Sequence, residues 1–287
     1  MPDEGGGPGT PADIGLAYED VRFRTDDGVT LAGWLIRAER NTHAAVVLMH
    51  GFTGHRLPEL AAFVPWLHRR YNILQFDFRG HGDSDPSPVT MGLHERRDVA
   101  AAVRFCDRHG LGPIALMGIS MGAAIAIIAA PDLPVRAVVA DAAYARVDHP
   151  IGNRMRELGY PLAGIGSRLV ALGAGVRSRA PLPAPIDRVA DISPRGLLLI
   201  APGEDQLIHP DQSRELFAAA SEPKELYVVE GAAHADAWAV AGAEYEEQVL
   251  GFLARFLDGD DAAQDGGDAA DSVAAGRGEP GAAAQRL

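Results

Sequence analysis

Short runs of consecutive apolar residues alternate along the chain with longer segments in which apolar and polar positions recur at helical spacing. Six runs are apolar almost throughout, which is typical of strands covered on both faces of a sheet. These runs are AAVVLMH, NILQFDF, PIALMG, RAVVAD, GLLLIA and ELYVVEG. Two earlier segments, YEDVRFRT and VTLAGWLIRA, are joined by Asp26-Asp27-Gly28 and predict an antiparallel hairpin. The pattern therefore predicts eight strands.

Segments with apolar residues at helical spacing lie between these runs: PELAAFVPWLHRR, GLHERRDVAAAVRFCDRH, MGAAIAIIAA, HPDQSRELFAAA and AEYEEQVLGFLARFL. Strands that alternate with helices predict a mostly parallel sheet with helices on both faces, because right-handed crossovers place the helices there. Residues 142–190 interrupt the alternation. We expect them to form a short helical cap over the carboxyl ends of the strands, where open α/β sheets bind ligands.

Composition favours one main domain with two poorly structured ends. A chain of 287 residues that is 47% hydrophobic can bury one large core, which we assign to residues 16–257. Residues 1–15 and 258–287 are rich in Gly, Ala, Pro and Asp and have few large apolar groups. Such segments bury too little surface to offset the entropy of ordering, so we expect a flexible N-terminus and a disordered acidic tail.

The net charge of −13 disfavours binding to nucleic acid or to an anionic membrane, since both select basic surfaces. The chain has one cysteine, Cys106, at helical spacing, which we expect to be a small core residue. It has no signal-peptide pattern at its start and no apolar stretch of membrane-spanning length. We therefore expect a soluble cytoplasmic protein, and a homo-oligomer remains open.

The stretch GISMG, residues 118–122, places Ser120 between two glycines, with an apolar strand before it and a small-residue helix after it. This context is that of a G-x-S-x-G turn, in which larger flanking side chains would collide with neighbouring backbone. Such a turn exposes the serine hydroxyl above the sheet edge, at the positive end of the helix that follows. Ser120 is therefore a candidate nucleophile.

A serine nucleophile needs a base, and the base needs an acid to orient it. His234 follows the last predicted strand, and Asp205 follows the strand before it, so both are expected at the same sheet edge as Ser120. The chain order of serine, acid and histidine is the one used by such strand–turn–helix nucleophiles. Glu204 adjoins Asp205 and remains an alternative acid.

Backbone amides are expected to stabilise the developing oxyanion. One candidate is the N–H of Met121, directly after the serine, and the other is that of Phe52, in the segment HGFTG after a predicted strand. Residues 94–98, HERRD, lack the second histidine of a zinc-binding helix, and Gly110-Leu111-Gly112 leads into a strand, not out of one. We therefore predict that the first segment is no metal site and that the second is no dinucleotide-binding loop.

The segments HGFTG, DFRGHGDS, GISMG, EDQLIHP and GAAHADAW occur in the order found in the α/β-hydrolase superfamily of serine hydrolases, which the sequence resembles over nearly all of residues 18–257. Within it, SEPKELYVVEGAAHADAW and the short cap are most similar to the Bem46-like group. The resemblance implies an esterase-type activity without a cofactor, and implies that DFRGHGDS, residues 77–84, braces the oxyanion loop. One departure is Pro202, where relatives usually have glycine three residues before the acid, and this departure keeps Glu204 open.

The leading hypothesis is hydrolysis of a small-molecule carboxylic ester with a small to medium acyl group, through an acyl-enzyme formed on Ser120. An acyltransferase or perhydrolase, an amidase or peptidase, and a non-catalytic binding protein are the alternatives. Five large side chains of the cap could line an apolar pocket, but we expect them to pack the cap onto the main domain instead: Tyr160, Leu162, Ile165, Leu169 and Leu172.

Overall fold

The computed structural model describes residues 9–52 and 55–259. Residues 1–8 of the predicted flexible N-terminus, and residues 260–287 of the predicted acidic tail, lie outside this part. Of the described residues near the two ends, Pro11–Ile14 form a 3-10 turn, and Arg40 Nη2 lies 2.7 Å from Asp258 Oδ1.

Eight strands form one sheet: β1 (Glu19–Arg24), β2 (Thr30–Ile36), β3 (Ala45–Met49), β4 (Asn72–Phe76), β5 (Ile114–Ile119), β6 (Ala137–Asp141), β7 (Gly196–Pro202) and β8 (Lys224–Val229). Their order across the sheet is β1-β2-β4-β3-β5-β6-β7-β8. The hairpin β1–β2 pairs antiparallel, as does β2 with β4, and all other pairs are parallel. The predicted mostly parallel eight-stranded sheet is confirmed.

Eight α-helices occur in the described part: α1 (Leu57–Leu67), α2 (Glu95–Arg108), α3 (Met121–Ala129), α4 (Asp148–Glu157), α5 (Ala163–Ser178), α6 (Asp211–Ala219), α7 (Ala237–Ala241) and α8 (Ala243–Leu257). None of them combines the length and apolar character that crossing a bilayer requires. The sequence pattern did not predict α7, a short helix directly after the loop that carries His234.

Two apolar clusters cover the two faces of the sheet. In β3, Val46 belongs to the cluster that includes α1 and α8, whereas its neighbour Val47 belongs to the cluster that includes α2, α3 and α6. Successive side chains of a strand point to opposite faces, so an apolar run without alternation requires helices on both sides. This packing explains why five of the six runs predicted as covered strands, β3 to β7, are buried throughout. The prediction is wrong for the sixth run, because β8 lies at the edge of the sheet and most of its residues are only partly buried. Cys106 is buried in the second of these clusters.

The interrupted stretch after β6 contains two helices, α4 and α5, which pack closely against each other. A Cβ added to Gly152 of α4 would lie 3.1 Å from Ser167 Oγ and 3.8 Å from the Ala163 oxygen of α5, so the two helices meet through small residues. The expectation that the large cap side chains pack onto the main domain is wrong, because each is more than half exposed: Tyr160, Leu162, Ile165, Leu169 and Leu172. The close approach of α4 admits only the small side of α5, and therefore turns the large side chains outward.

Candidate active site

Ser120 lies at the junction between β5 and α3 and has a strained backbone conformation, with φ of 54° and ψ of −112°. A Cβ on Gly118 would lie 2.3 Å from the carbonyl carbon of Gly122, and a Cβ on Gly122 would lie 2.6 Å from the backbone oxygen of Met49. Both glycines are therefore required by close backbone contacts, as the sequence pattern predicted. The tight turn holds Ser120 at the carboxyl edge of the sheet.

A continuous chain of hydrogen bonds joins Ser120, His234 and Asp205. His234 Nε2 lies 3.1 Å from Ser120 Oγ, and His234 Nδ1 lies 2.6 Å from Asp205 Oδ2. An imidazole whose Nδ1 faces a carboxylate donates its proton there and leaves Nε2 free to accept one. The other carboxylate oxygen, Asp205 Oδ1, accepts the backbone N–H groups of Leu207 and Ile208, each at 2.8 Å.

Of the two candidate acids, the structure brings Asp205 and not Glu204 against His234. Asp205 is completely buried, whereas Glu204 is exposed and its backbone N–H donates to the Ala232 oxygen at 2.8 Å. The strand β7 continues through Pro202, and the N–H of Gly203 donates to the Val229 oxygen at 2.8 Å. Asp205 therefore contacts His234 despite the departure at Pro202.

The two predicted oxyanion donors lie beside Ser120. Met121 is the first residue of α3, and Phe52 follows β3, so that both residues line the same cavity as Ser120. Among the described residues, no hydrogen-bond acceptor is paired with the backbone N–H of either one. Unpaired amides at a helix start and at the end of a neighbouring strand are suited to a developing negative charge.

Buried polar residues hold the loop that carries Phe52. His50 Nδ1 donates to the Gly51 oxygen at 2.6 Å, and His50 Nε2 accepts the Phe78 N–H at 3.0 Å. Burial lowers the pKa of His50 to about 3, so its ring is neutral and can fill both roles. On the other side, the N–H of Gly51 donates to Glu59 Oε1 at 3.1 Å, and burial raises the pKa of Glu59 to about 7.

The turn DFRGHGDS supports the far end of the same loop. The backbone N–H of Arg56 donates to Asp77 Oδ1 at 2.8 Å, and the Arg56 guanidinium forms ion pairs with Asp77 and Asp83. Arg79 is held in turn by Asp98, with Arg79 Nη2 2.8 Å from Asp98 Oδ1. These contacts are structural and agree with the bracing role that the resemblance implied.

Sequence analysis missed a second buried carboxyl group at this edge. Asp141, at the end of β6, accepts the Ser120 N–H at its backbone oxygen (2.8 Å) and the Tyr245 hydroxyl at Oδ2 (2.8 Å). Its Oδ1 has no hydrogen-bond partner among the described residues. Burial raises the pKa of Asp141 to about 7, although the nearby His234 works in the opposite direction. The aspartate that ends the apolar run RAVVAD was the available signal.

Ser120 opens into an apolar cavity of about 560 Å³. Its walls come from the oxyanion side at Phe52, from the loop before α2 at Val89 and Met91, and from α4 at Ile151 and Met155. The cap thus contributes through α4, whereas the large side chains of α5 lie outside the cavity. Arg154 is the one charged residue of the lining in the described part of the chain. No group of three or more potential metal ligands occurs among the described residues.

Comparison with known proteins places this geometry in a family. A family model described as alpha/beta hydrolase fold matches residues 44–171. The uncharacterized protein YfhR of Escherichia coli O157:H7 is 31% identical over 247 residues, which cover 82% of this chain and 80% of YfhR.

Two further relatives carry named activities. Polyketide transferase ATR5 of Stachybotrys chlorohalonatus is 28% identical and is covered over 98% of its length by 84% of this chain. The Pyrococcus furiosus esterase Pf2001 superposes with a TM-score of 0.75 at 27% identity, over 88% of this chain and 96% of that protein. None of these comparisons identifies the Bem46-like group, which stays a prediction. The sheet order, the strained serine turn and the relatives agree, and the chain belongs to the alpha/beta hydrolase fold family.

Proposed function

We propose that this protein is a serine hydrolase that cleaves carboxylic esters of small to medium acyl groups. The observation that supports this best is the hydrogen-bonded chain from Asp205 through His234 to Ser120, which ends at an apolar cavity. The esterase among the structural relatives is consistent with the same activity.

The proposed reaction uses protein groups alone. Ser120 Oγ attacks the ester carbonyl while His234 Nε2 accepts its proton, and Asp205 stabilises the imidazolium that forms. The amides of Phe52 and Met121 donate to the oxyanion of the tetrahedral intermediate. His234 then protonates the leaving alcohol, and an attacking water, deprotonated by His234, releases the acid from the acyl-enzyme.

The cavity limits the substrate class. A volume of about 560 Å³ with almost entirely apolar walls suits an acyl group with a hydrocarbon chain, since polar atoms of a substrate would find few partners there. Part of the wall is formed by three methionines, Met91, Met121 and Met155. Their flexible side chains can adapt to acyl groups of different length.

A panel of p-nitrophenyl esters from acetate to decanoate tests this function. Wild type should hydrolyse short and medium esters, Ser120→Ala should fall to the background rate, and a fluorophosphonate probe should add one adduct, at Ser120. Wild-type rates in the serine variant, or labelling at another residue, would refute the proposal.

Acyl transfer is the second candidate, because a polyketide transferase is among the relatives. It would use the same acyl-enzyme, with an alcohol in place of water as the final acceptor. Product analysis in the presence of added alcohols separates the two. An ester product in large excess over the free acid would favour the transferase, and free acid alone would favour the hydrolase.

A further inference from the structure

Helix α5 turns small residues toward the protein and large apolar residues toward solvent, unlike an ordinary surface helix. Its small residues Ala163 and Ser167 are buried, whereas Leu169 is 62% exposed and Val176 is 72% exposed. A surface helix normally turns its apolar stripe toward the core and its polar residues toward water. On α5 the apolar stripe faces solvent instead.

The exposed stripe, here called the α5 seam, is formed by Leu162, Ile165, Leu169, Leu172 and Val176. Successive members are three, four, three and four residues apart, which is the spacing of a helix that packs lengthwise against another helix. Tyr160 and Val170 extend the seam at its sides and are also more than half exposed.

The seam is large enough to form an interface. With its flanking residues it exposes an area on the order of 800 Å², which is about what each partner buries in a standard protein–protein interface. Monomeric soluble proteins seldom leave more than roughly a few hundred Å² of contiguous apolar surface in water. The hydrophobic effect therefore favours an occupant that covers the whole stripe.

A groove of about 510 Å³ borders the seam on one side. Leu172 and Val176 form one wall of the groove, and Pro181, Leu182 and Pro183 contribute to the other. Side chains of a facing helix could enter such a groove, so the surface suits a helical partner better than a flat one.

The charges around the seam are mixed: Arg177 and Arg179 are exposed at the end of α5 with no carboxylate at ion-pair distance in the described part of the chain, whereas two other arginines are paired. Arg168, in the middle of α5, has its Nε 3.9 Å from Asp148 Oδ2, and Arg154 lies 2.6 Å from Glu157. The whole chain carries a net charge of −13, which opposes its approach to an anionic membrane.

We propose that a second copy of this chain covers the α5 seam, with the two α5 helices packed against each other about a two-fold axis. A two-fold interface uses the same patch on both subunits, and a regular apolar stripe along one helix can pack against its own copy. The helix has 16 residues and is about 24 Å long, and it carries four of the five seam positions, with Leu162 directly before its first residue.

The proposed contact between the two copies also extends to the candidate active site. Leu158 lines the cavity at Ser120 and is also 60% exposed beside the seam, so the second copy would cover one side of the cavity mouth. This consequence rests on the proposed function, whereas the association itself does not.

Light scattering coupled to size-exclusion chromatography tests the association over about a hundredfold range of concentration. Wild type should have twice the 30.3 kDa mass of the chain, and Leu169→Arg should weaken association at least about 100-fold because it buries a charge in the interface. Val240→Arg is the matched control, since Val240 is an exposed valine on α7, away from the seam. It should remain dimeric, and circular dichroism should show all three proteins folded.

A cysteine variant provides a second measurement that does not depend on the charged substitution. Leu169→Cys should form a disulfide-linked dimer on mild oxidation, because the residue lies near the middle of the seam. Val240→Cys should not, and the native Cys106 is fully buried and free.

A monomeric wild type throughout this range, or a Leu169→Arg variant as dimeric as wild type, would overturn the proposal. Flotation with phosphatidylcholine–phosphatidylglycerol vesicles identifies the competing occupant. Vesicle binding by a monomeric wild type, lost in Leu169→Arg, would assign the seam to a lipid surface instead. Ester hydrolysis by the same samples is measured in parallel. It tests the proposed function independently of the association.

Discussion

At the scale of single residues, two buried carboxyl groups near His234 have different surroundings. Asp205 is satisfied by three donors: the His234 ring and the amides of Leu207 and Ile208. Asp141 has one side-chain donor, the Tyr245 hydroxyl, and one buried oxygen without a partner among the described residues. The hydrogen bonds therefore assign the orientation of His234 to Asp205.

The effect of removing each negative charge follows from this difference. Asp205→Asn should lower kcat for an activated ester by about 10⁴-fold, because an amide in contact with Nδ1 favours the wrong imidazole tautomer. Asp141→Asn, the matched change at the neighbouring carboxyl, should alter kcat less than about tenfold. Steady-state kinetics of the two variants measure this, and an equal loss in both would contradict the assignment.

At the scale of elements, the residues at the junction between β5 and α3 affect both the position of Ser120 and the stability of the fold. Gly122 packs against the last residues of β3, with its hypothetical Cβ 2.6 Å from the Met49 oxygen and 2.7 Å from the His50 oxygen. The segment that it touches leads directly to Phe52. A change at Gly122 should therefore disturb both the serine turn and the predicted oxyanion donor.

Gly122→Ala should destabilise the protein by about 1–3 kcal/mol and lower kcat, because two backbone segments must separate to admit the methyl group. Gly251→Ala in α8 is the control, since nothing lies within 4 Å of its Cβ position. That variant should gain roughly 0.5–1 kcal/mol from the helix preference of alanine and keep full activity. Urea unfolding measures the stability of the two variants, and ester kinetics measure their activity. A Gly122→Ala variant as stable and as active as wild type would contradict this prediction.

At the scale of the whole molecule, the burial of Asp141 at the end of β6 makes the free energy of unfolding depend on pH. The carboxyl has a pKa raised to about 7 in the folded protein, whereas an unfolded aspartate has a pKa of about 3.9. Between these values the folded state keeps a proton that the unfolded state has lost. Raising the pH through this interval therefore favours unfolding, and above about 7 the penalty is constant.

Asp141→Asn should remove the pH-dependent contribution of this carboxyl to stability. Its free energy of unfolding relative to wild type should rise by on the order of 1 kcal/mol for each pH unit between about 4 and 7, and then level off. Denaturant unfolding at several pH values measures the difference. Asp107→Asn, at an exposed position in α2, is the control for the substitution itself. A pH-independent difference at Asp141 would contradict the raised pKa.

Local sequence was sufficient for the main plan of the molecule. The hairpin, the buried strands and the glycines around Ser120 depend on side-chain size and spacing within one short segment, which a pattern of residues records directly. The placement of Ser120, Asp205 and His234 at one edge of the sheet then followed from the rule that parallel strands present their carboxyl ends at the same edge.

Tertiary packing decided what no single segment contains. Asp205 and Glu204 are adjacent in sequence, and only the pairing of β7 with β8 turned the first toward His234. Asp141 gained its partner from Tyr245, 104 residues away. The outward direction of the α5 seam depended on the close packing of Gly152 in α4 against the buried small residues Ala163 and Ser167 of α5. In each case the deciding contact joins distant elements, whose mutual placement is set by steric fit and hydrogen bonding in three dimensions.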